Sequence, residues 1–444
     1  MVKLIDLTVR DGQQSLLATR LRTDDIVKIV EVLDKAGFYA LEVWGGATFD
    51  VALRYLREDP WERLKRVREV AKRTKLMMLL RGLNLVGYRH YPRDVVEKFI
   101  EYAHRDGIDV FRVFDALNDL DNLALPIKVI KKVGAELQVC MVYSVSPVHT
   151  VEYYRKLAEE IVSRFEPETI TIKDMAGVLT PYAAVELIKE LKNMNVTVDV
   201  HTHATAGFAP MTALKSIEAG ADLVDVTVSS LSLFTSHTPA ETLIAALKGT
   251  PYEVNVDLNT LYEAAKLVWE VRRKYREFDY ALREPPIDVR VIQHQVPGGM
   301  LSNLLTQLRE LKAEDKLPEV LEEVVRVREE LGWPPLVTPI SQIVGAQAVL
   351  NVISGRYRAV IDELLDYVEG KYGKPPAPIS EKLIQLAKSR PKRVAEKELA
   401  ITLKEAKSAL PKHLARKFED YLTYALFPEV AAEALEEIYS RQQT

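Results

Sequence analysis

The chain has 444 residues, 48% hydrophobic and 28% charged, with 60 Lys plus Arg against 64 Asp plus Glu. Such a composition suits a soluble globular protein with a large core, and the near-zero net charge gives no electrostatic case for nucleic acid or an anionic membrane. The single cysteine, Cys140, lies in the strand-like run LQVCMVYS and excludes an intrachain disulfide framework or a cysteine-based zinc site.

The opening run, MVKLIDLTV, is too short and too soon charged for a signal peptide. No apolar run approaches the roughly 20 residues of a membrane span, so the expected location is cytoplasmic. Strands are predicted at 2–9, 39–45, 75–82, 109–115, 136–144, 168–173, 196–203 and 222–228. Helical periodicity separates them, beginning with TDDIVKIVEVLDKAG, which Thr23 or Asp24 can cap and Gly37 can stop. Alternating strands and helices imply parallel strands, because each helix is a crossover. About eight such units in about 245 residues fit a (β/α)8 TIM barrel. A doubly wound open sheet competes, but no Gly-rich turn follows the first strand. Beyond residue 250 helical patterns dominate, and GKPPAPIS at 373–380 reads as a hinge or loop. The expected fold class is therefore an α/β barrel over 1–250, then a mainly helical C-terminal domain over 251–372 that covers the barrel mouth, then a linker and helical tail over 373–444.

Active sites of such barrels lie at the C-terminal strand ends. Polar clusters follow six of the strands there: RDGQQ after the first, WGGATFD after the second, LLRGLNLVGY, VFDALND, IKDMAG and VHTHATAG. His201 and His203 are two apart on a strand, so both imidazoles face one way. With Asp11 on another strand end they suit zinc, manganese or cobalt; the competing reading is a pair of satisfied surface histidines. Lys173 interrupts a strand of Thr and Ile. It can pair with Asp11 or Asp174, act as a Schiff-base amine, or ligate a metal once carbamylation has made it anionic. Arg81 suits a planar carboxylate, against the alternative of a structural ion pair, and Gln14 can hydrogen-bond a keto or enolate oxygen. Together these residues point to a metal beside an oxo-acid and to carbanion chemistry next to a keto carbon.

The blocks RDGQQSLLATR, WGGATFDVALRYLREDPWERL, LLRGLNLVGYRHYP, FRVFDALND, IKDMAGVLTP and HTHATAG resemble the carboxyltransferase domain of biotin-dependent enzymes. That family includes pyruvate carboxylase, the oxaloacetate decarboxylase alpha subunit and the pyruvate-side subunit of transcarboxylase. QVPGGMLSNLLTQL, PPLVTPISQIVGAQAV and LTYALFPEVA extend the resemblance over nearly the whole chain. It implies that Asp11, His201, His203 and a carbamylated Lys173 hold a divalent metal. Gln14 and Arg81 would hold pyruvate or oxaloacetate, and Asp50 and Tyr88 would line the biotin pocket. Thr338 would pass a proton between biotin and the enolate. Ala204 stands where many relatives have Asp or Ser. No Met-Lys-Met biotin acceptor and no ATP-binding Gly-rich loop is found, so the resemblance implies biotin on a separate carrier chain. Expected partners are a biotin carboxyl carrier protein, a biotin carboxylase or another carboxyl donor or acceptor subunit, and a second copy in a homodimer. Two other readings compete. One is a metal-dependent acyl-CoA lyase or Claisen-type synthase of the same barrel superfamily, which lacks a ligating lysine on strand six. The other is a noncatalytic scaffold for a carrier complex, which an intact ligand set disfavours.

Overall fold

In the computed structural model, which describes residues 1–283, 285–389 and 400–441, eight parallel strands close into a barrel in sequence order. They are β1 (Lys3–Asp6), β2 (Ala40–Gly45), β3 (Lys75–Leu80), β4 (Val110–Val113), β5 (Glu136–Val142), β6 (Thr169–Asp174), β7 (Thr197–Thr202) and β8 (Leu223–Val226). β1 pairs with both β2 and β8, so no edge is left open. Each strand is shorter than or about as long as the apolar run that announced it, because polar residues at the run's end turn into the loops of the barrel mouth. Strands covered by helices outside and filled by side chains inside are buried on both faces, which explains runs such as KLMMLL and ELQVCMV.

The crossovers include α1 (Thr23–Leu33), α2 (Pro60–Val70), α3 (Arg93–Arg105), α4 (Asp121–Val133), α5 (Val151–Phe165), α6 (Pro181–Lys192), α7 (Ala209–Glu218) and α8 (Ala240–Leu247). Asp59 caps α2 by accepting from the Trp61 and Glu62 amides, with Pro60 at the first helical position. Thr150 and Thr180 cap α5 and α6 in the same way. The start of α1 differs from the expectation: Arg22 occupies the cap position with no side-chain bond, and Thr23 instead donates to Glu58 at 2.7 Å. The Thr23 hydroxyl also accepts from Arg63, so it ties α1 to α2 rather than capping.

After α9 (Leu258–Lys274) come α10 (Gly298–Glu310), α11 (Leu317–Glu330), α12 (Ile340–Ser354), α13 (Asp362–Val368) and α14 (Glu381–Ser389). These last five share an apolar core with Leu79, Phe114, Cys140 and Val142 from the barrel. Arg328 on α11 donates to Ser144 at 2.7 Å and to the Pro334 carbonyl, pinning this layer to the end of β5. The 373–380 segment is a loop tied down by Lys374 N–H to Asp119 and Ser380 N–H to the Glu330 carbonyl. The final helices, α15 (Leu403–Ala409), α16 (Phe418–Leu426) and α17 (Pro428–Arg441), join the barrel's own core instead. Phe427 stacks on Phe49 at 5.9 Å, beside Trp44, Trp61 and Phe99, and Trp61 donates to Thr423. The parts of the expected tail at 390–399 and 442–444 lie outside the described residues. Among the described residues no helix is long and apolar enough to cross a membrane.

Deleting the ring that joins the last helices to the barrel tests this packing. Phe427→Ala is expected to cost about 3–5 kcal/mol, read as a lower urea midpoint. An unchanged midpoint would show that α16 and α17 are not part of the barrel's cooperative core.

Candidate active site

The first strand delivers Arg10, Asp11 and Gln14 into a short helical turn, 8–16, at the mouth of the barrel. β6 and β7 pair with Lys173 opposite His201, and the two-residue period of β7 aims His203 the same way. The Nε2 atoms of His201 and His203 are 3.3 Å apart, and each lies 3.4 Å from Asp11 Oδ2. The Lys173 amine is 3.2 Å from His201 Nε2.

A third imidazole completes the group. His237, in the loop after β8, places Nε2 3.0 Å from Asp11 Oδ2. Each ring sets its Nδ1 within hydrogen-bond distance of a fixed oxygen: Asp225 for His201, the Thr235 carbonyl for His203 and the Thr202 carbonyl for His237. The three Nε2 atoms therefore converge on a carboxylate oxygen, with all four ligand atoms within 4.8 Å of one another. Asp11 Oδ2 and His237 Nε2 are buried and make no hydrogen bond. Facing acceptors without a proton between them are costly to bury, and a divalent cation removes the cost. The donor set fits a borderline ion such as zinc, manganese or cobalt.

Burial alone would raise the Asp11 carboxyl, but its charged surroundings, Arg10 foremost with Nη2 at 3.1 Å, hold it well below the usual range. His201 is pushed well below its ordinary value by burial and then by Lys173. His237 is lowered by burial and by His203. Both rings are thus neutral, as ligation requires. Burial also lowers the Lys173 amine. Asp174 is not its partner, because that carboxylate accepts from the Gly177, Val178 and Leu179 amides and from Thr202.

Arg81 makes no ion pair among the described residues. Its Nη1 donates to the Val86 and Gly87 carbonyls, and its guanidinium lies 5.4 Å from the Tyr88 ring centre. A charged group buried without a counter-ion suits an incoming carboxylate. Gln14 Oε1 accepts from Arg10 and from the Ala47 amide, which leaves its amide NH2 for the cavity. That contact needs the left-handed turn at Gly46, where a Cβ would sit 3.1 Å from Gln14 Oε1.

A cavity of about 2390 Å³ joins Asp11, Gln14, Arg81, Tyr88 and His203 on the barrel to Met300 and Thr338 on the helical layer. Gly298 at the start of α10 rests on Thr235, where a Cβ would come within 2.2 Å of the side chain. This close approach seats the layer on the loop that carries His237. Thr338 is no helix cap, since α12 begins without a side-chain cap bond. Asp50 stands apart from the cavity wall: it accepts from the Tyr88 hydroxyl at 3.1 Å and pairs with Arg54. Tyr88 itself lines the cavity, with its hydroxyl pushed up to about 12 by burial. Ala204 is buried, and its amide donates to the Ser236 carbonyl. His237 is absent from the polar clusters picked out by sequence, because the loop after the eighth strand is not among them. The signal was present as the only histidine in SSLSLFTSHTPAETL.

Two family models match the chain: a conserved carboxylase domain over residues 291–444 and an HMGL-like domain over 92–268. A pyruvate carboxylase subunit of Methanocaldococcus jannaschii is 51% identical over 449 residues, covering 98% of this chain and 78% of that protein. The 2-oxoglutarate carboxylase large subunit of Hydrogenobacter thermophilus is 48% identical over 388 residues, covering 86% of this chain and 59% of that protein. The carboxyl transferase domain of Rhizobium etli pyruvate carboxylase, solved with pyruvate and biocytin, superposes with a TM-score of 0.91 at 34% identity, covering 98% of this chain and 77% of that one.

The donor geometry makes a direct prediction. Metal-free protein should take up about one divalent ion per chain, and Asp11→Ala or His237→Ala should weaken uptake by at least about tenfold. Calorimetric titration with zinc or cobalt measures it; undiminished binding in both variants would refute this donor set.

Proposed function

The chain belongs to the carboxyltransferase subunits of the biotin-dependent, pyruvate-carboxylase type, in the HMGL-like barrel superfamily, and on that premise we propose that it moves a carboxyl group between carboxybiotin and pyruvate. It is a metal- and biotin-dependent carboxyltransferase. The observation that carries the substrate assignment is Arg81, a buried guanidinium without a counter-ion among the described residues, facing the same cavity as Asp11 and the free amide of Gln14. The proposed partners are a biotin carboxyl carrier protein and, through it, a biotin carboxylase or another donor or acceptor subunit, with the chain itself a homodimer. The proposed division keeps the barrel over 1–250, the covering helices over 251–372 and the linker and tail over 373–444. The shared apolar core of α15 to α17 attaches that tail to the barrel.

In this reading Asp11, His201 and His203 hold the metal, with Lys173 as a carbamate and His237 completing the set. A divalent ion there supplies a Lewis acid that acidifies the methyl group next to the keto carbon. Arg81 takes the substrate carboxylate, and the Gln14 amide donates to the keto oxygen, where negative charge grows. Tyr88, braced by Asp50, lines the side on which the biotin ring enters. Carboxybiotin presented there would supply carbon dioxide by cleavage of its N–carboxyl bond. The Thr338 hydroxyl gives its proton to the ureido nitrogen and takes one from the pyruvate methyl. The resulting enolate carbon bonds to the carbon dioxide. The helical layer over the mouth excludes water, which would otherwise protonate the enolate. Lys173 beside His201 favours this reading over a Claisen-type synthase or acyl-CoA lyase, and the complete donor set disfavours a noncatalytic scaffold.

The reaction is tested by supplying oxaloacetate with and without a biotinylated carrier protein and following pyruvate; carrier-independent or absent turnover would overturn it. The same assay run forwards with 2-oxoglutarate in place of pyruvate separates the two acceptors.

Thr338→Ala should lower transfer by about 10²–10⁴ with metal content intact, and Thr338→Ser should keep much of the activity. Equal rates for Thr338→Ala and wild type would reject the relay.

Lys173→Arg should be inactive, because guanidinium stays cationic and cannot form a carbamate. Wild-type activity should rise with bicarbonate after carbon dioxide is stripped, and indifference to bicarbonate together with an active Lys173→Arg enzyme would remove the carbamate from the site.

A further inference from the structure

His203 and His237 are oriented by main-chain carbonyls, but His201 is oriented by a side chain, Asp225 on β8. The register of β7 against β8, Asp199 opposite Leu223, carries forward to bring His201 alongside Asp225. Asp225 Oδ2 lies 2.6 Å from His201 Nδ1. The same carboxylate is held from the other side by Arg112, through Nη1 to Oδ2 at 2.5 Å and Nη2 to Oδ1 at 2.9 Å. Arg112, Asp225 and His201 are all buried. We propose that Asp225, clamped by Arg112, is a positioning residue that fixes the His201 tautomer, keeping its proton on Nδ1 and its Nε2 lone pair free for the metal. This rests on the metal reading above.

The argument is one of donors and acceptors. A neutral imidazole carries one proton and can place it on either nitrogen. A proton on Nε2 would point at Asp11 and bar a cation from that ring. An ionised carboxylate only accepts, so it draws the proton to Nδ1. A free carboxylate could swing away, and the two-pronged grip of a planar guanidinium prevents that. Such outer partners of metal-bound histidines orient the ring and raise its basicity.

Asp225→Asn is the sharpest variant because it keeps size and reverses one edge. Arg112 donates to both carboxylate oxygens, and Oδ2 faces His201 as well, so in the amide one arginine N–H must meet an NH2. The clamp is broken whichever way the amide turns, and His201 Nδ1 is left beside a weaker acceptor or a donor, so part of the ring proton moves to Nε2. Nitrogen-15 NMR of histidine-labelled protein reads the tautomer directly. Metal-free wild type should show His201 protonated on Nδ1, and Asp225→Asn should show an Nε2-protonated fraction. Calorimetric affinity for zinc, with the cobalt visible spectrum alongside, should fall by about 10–100-fold in Asp225→Asn. Gln138→Met removes another Arg112 partner, at 3.3 Å, that touches no histidine, and it should leave the affinity within about threefold of wild type, well inside the loss set for an outer-partner mutation.

An Nε2 proton on His201 in metal-free wild type overturns the proposal, and this measurement stands even where the variant does not fold. Wild-type affinity in folded Asp225→Asn overturns it too. A wild-type protein that binds no ion overturns the metal reading along with it, which distinguishes the two failures.

Discussion

The site is built on a cation inside the barrel. Arg112 projects from β4 into the interior and meets carboxylates from three other strands, Glu42 on β2, Asp199 on β7 and Asp225 on β8. Carboxylates cannot be buried there without compensation, and several kcal/mol per ion is the scale of the penalty. Burial, followed by the neighbouring Asp225, pushes the Asp199 carboxyl up, which relieves part of the crowding. Glu42 also pairs with Arg10, so the network reaches the turn that carries Asp11 and Gln14. The strand-end loops thus rest on a charged layer whose geometry is closed and fully buried. His201 and Lys173, which stand on the strands themselves, are positioned from below in this way, and the loops add Asp11, Gln14 and His237 around them.

The barrel was legible because burial on both faces of parallel strands writes apolar runs of fixed length, and amphipathic helices write a different period between them. His201 and His203 were legible for the same reason, since a two-residue spacing at a strand end fixes direction. His237 was not, because its loop has no period to reveal where a side chain points. Arg112, Asp199 and Asp225 were in view but unread. They occur as single charges in VFRV, TVDVHT and LVDV. An arginine and two aspartates flanked by valine or phenylalanine in strands buried on both faces have nowhere to go but inward, and opposite charge on different strands implies that they meet. The start of α1 shows the reverse error: Thr23 has a capping residue's chemistry, yet the pair of half-buried Glu58 and buried Arg63 at the start of α2 offers it better partners.

The helical region was legible as helices and less so as two bodies of different allegiance. Apolar periodicity says that a helix has a buried face and does not say against what. Residues from Val296 to Leu383 build a separate core over the barrel mouth, while those from Leu403 to Tyr439 complete the barrel's flank. The cavity lies between the barrel and the first group, where each side contributes polar residues. Function is placed at the seam, and the second group is left to stabilise the far wall.

That far wall has a kinetic meaning. Trp61 and Phe49 belong to the second unit of the barrel, yet their cover comes from Thr423 and Phe427, more than 350 residues later. Such a long loop closure is slow to form and rewards the chain only when it is complete. During synthesis the early barrel must wait with an aromatic cluster uncovered, on a ribosome that adds about 5–20 residues per second. At that rate the residues that cover the cluster follow it out of the ribosome by about 20–70 seconds, and the barrel's flank is completed only when they arrive.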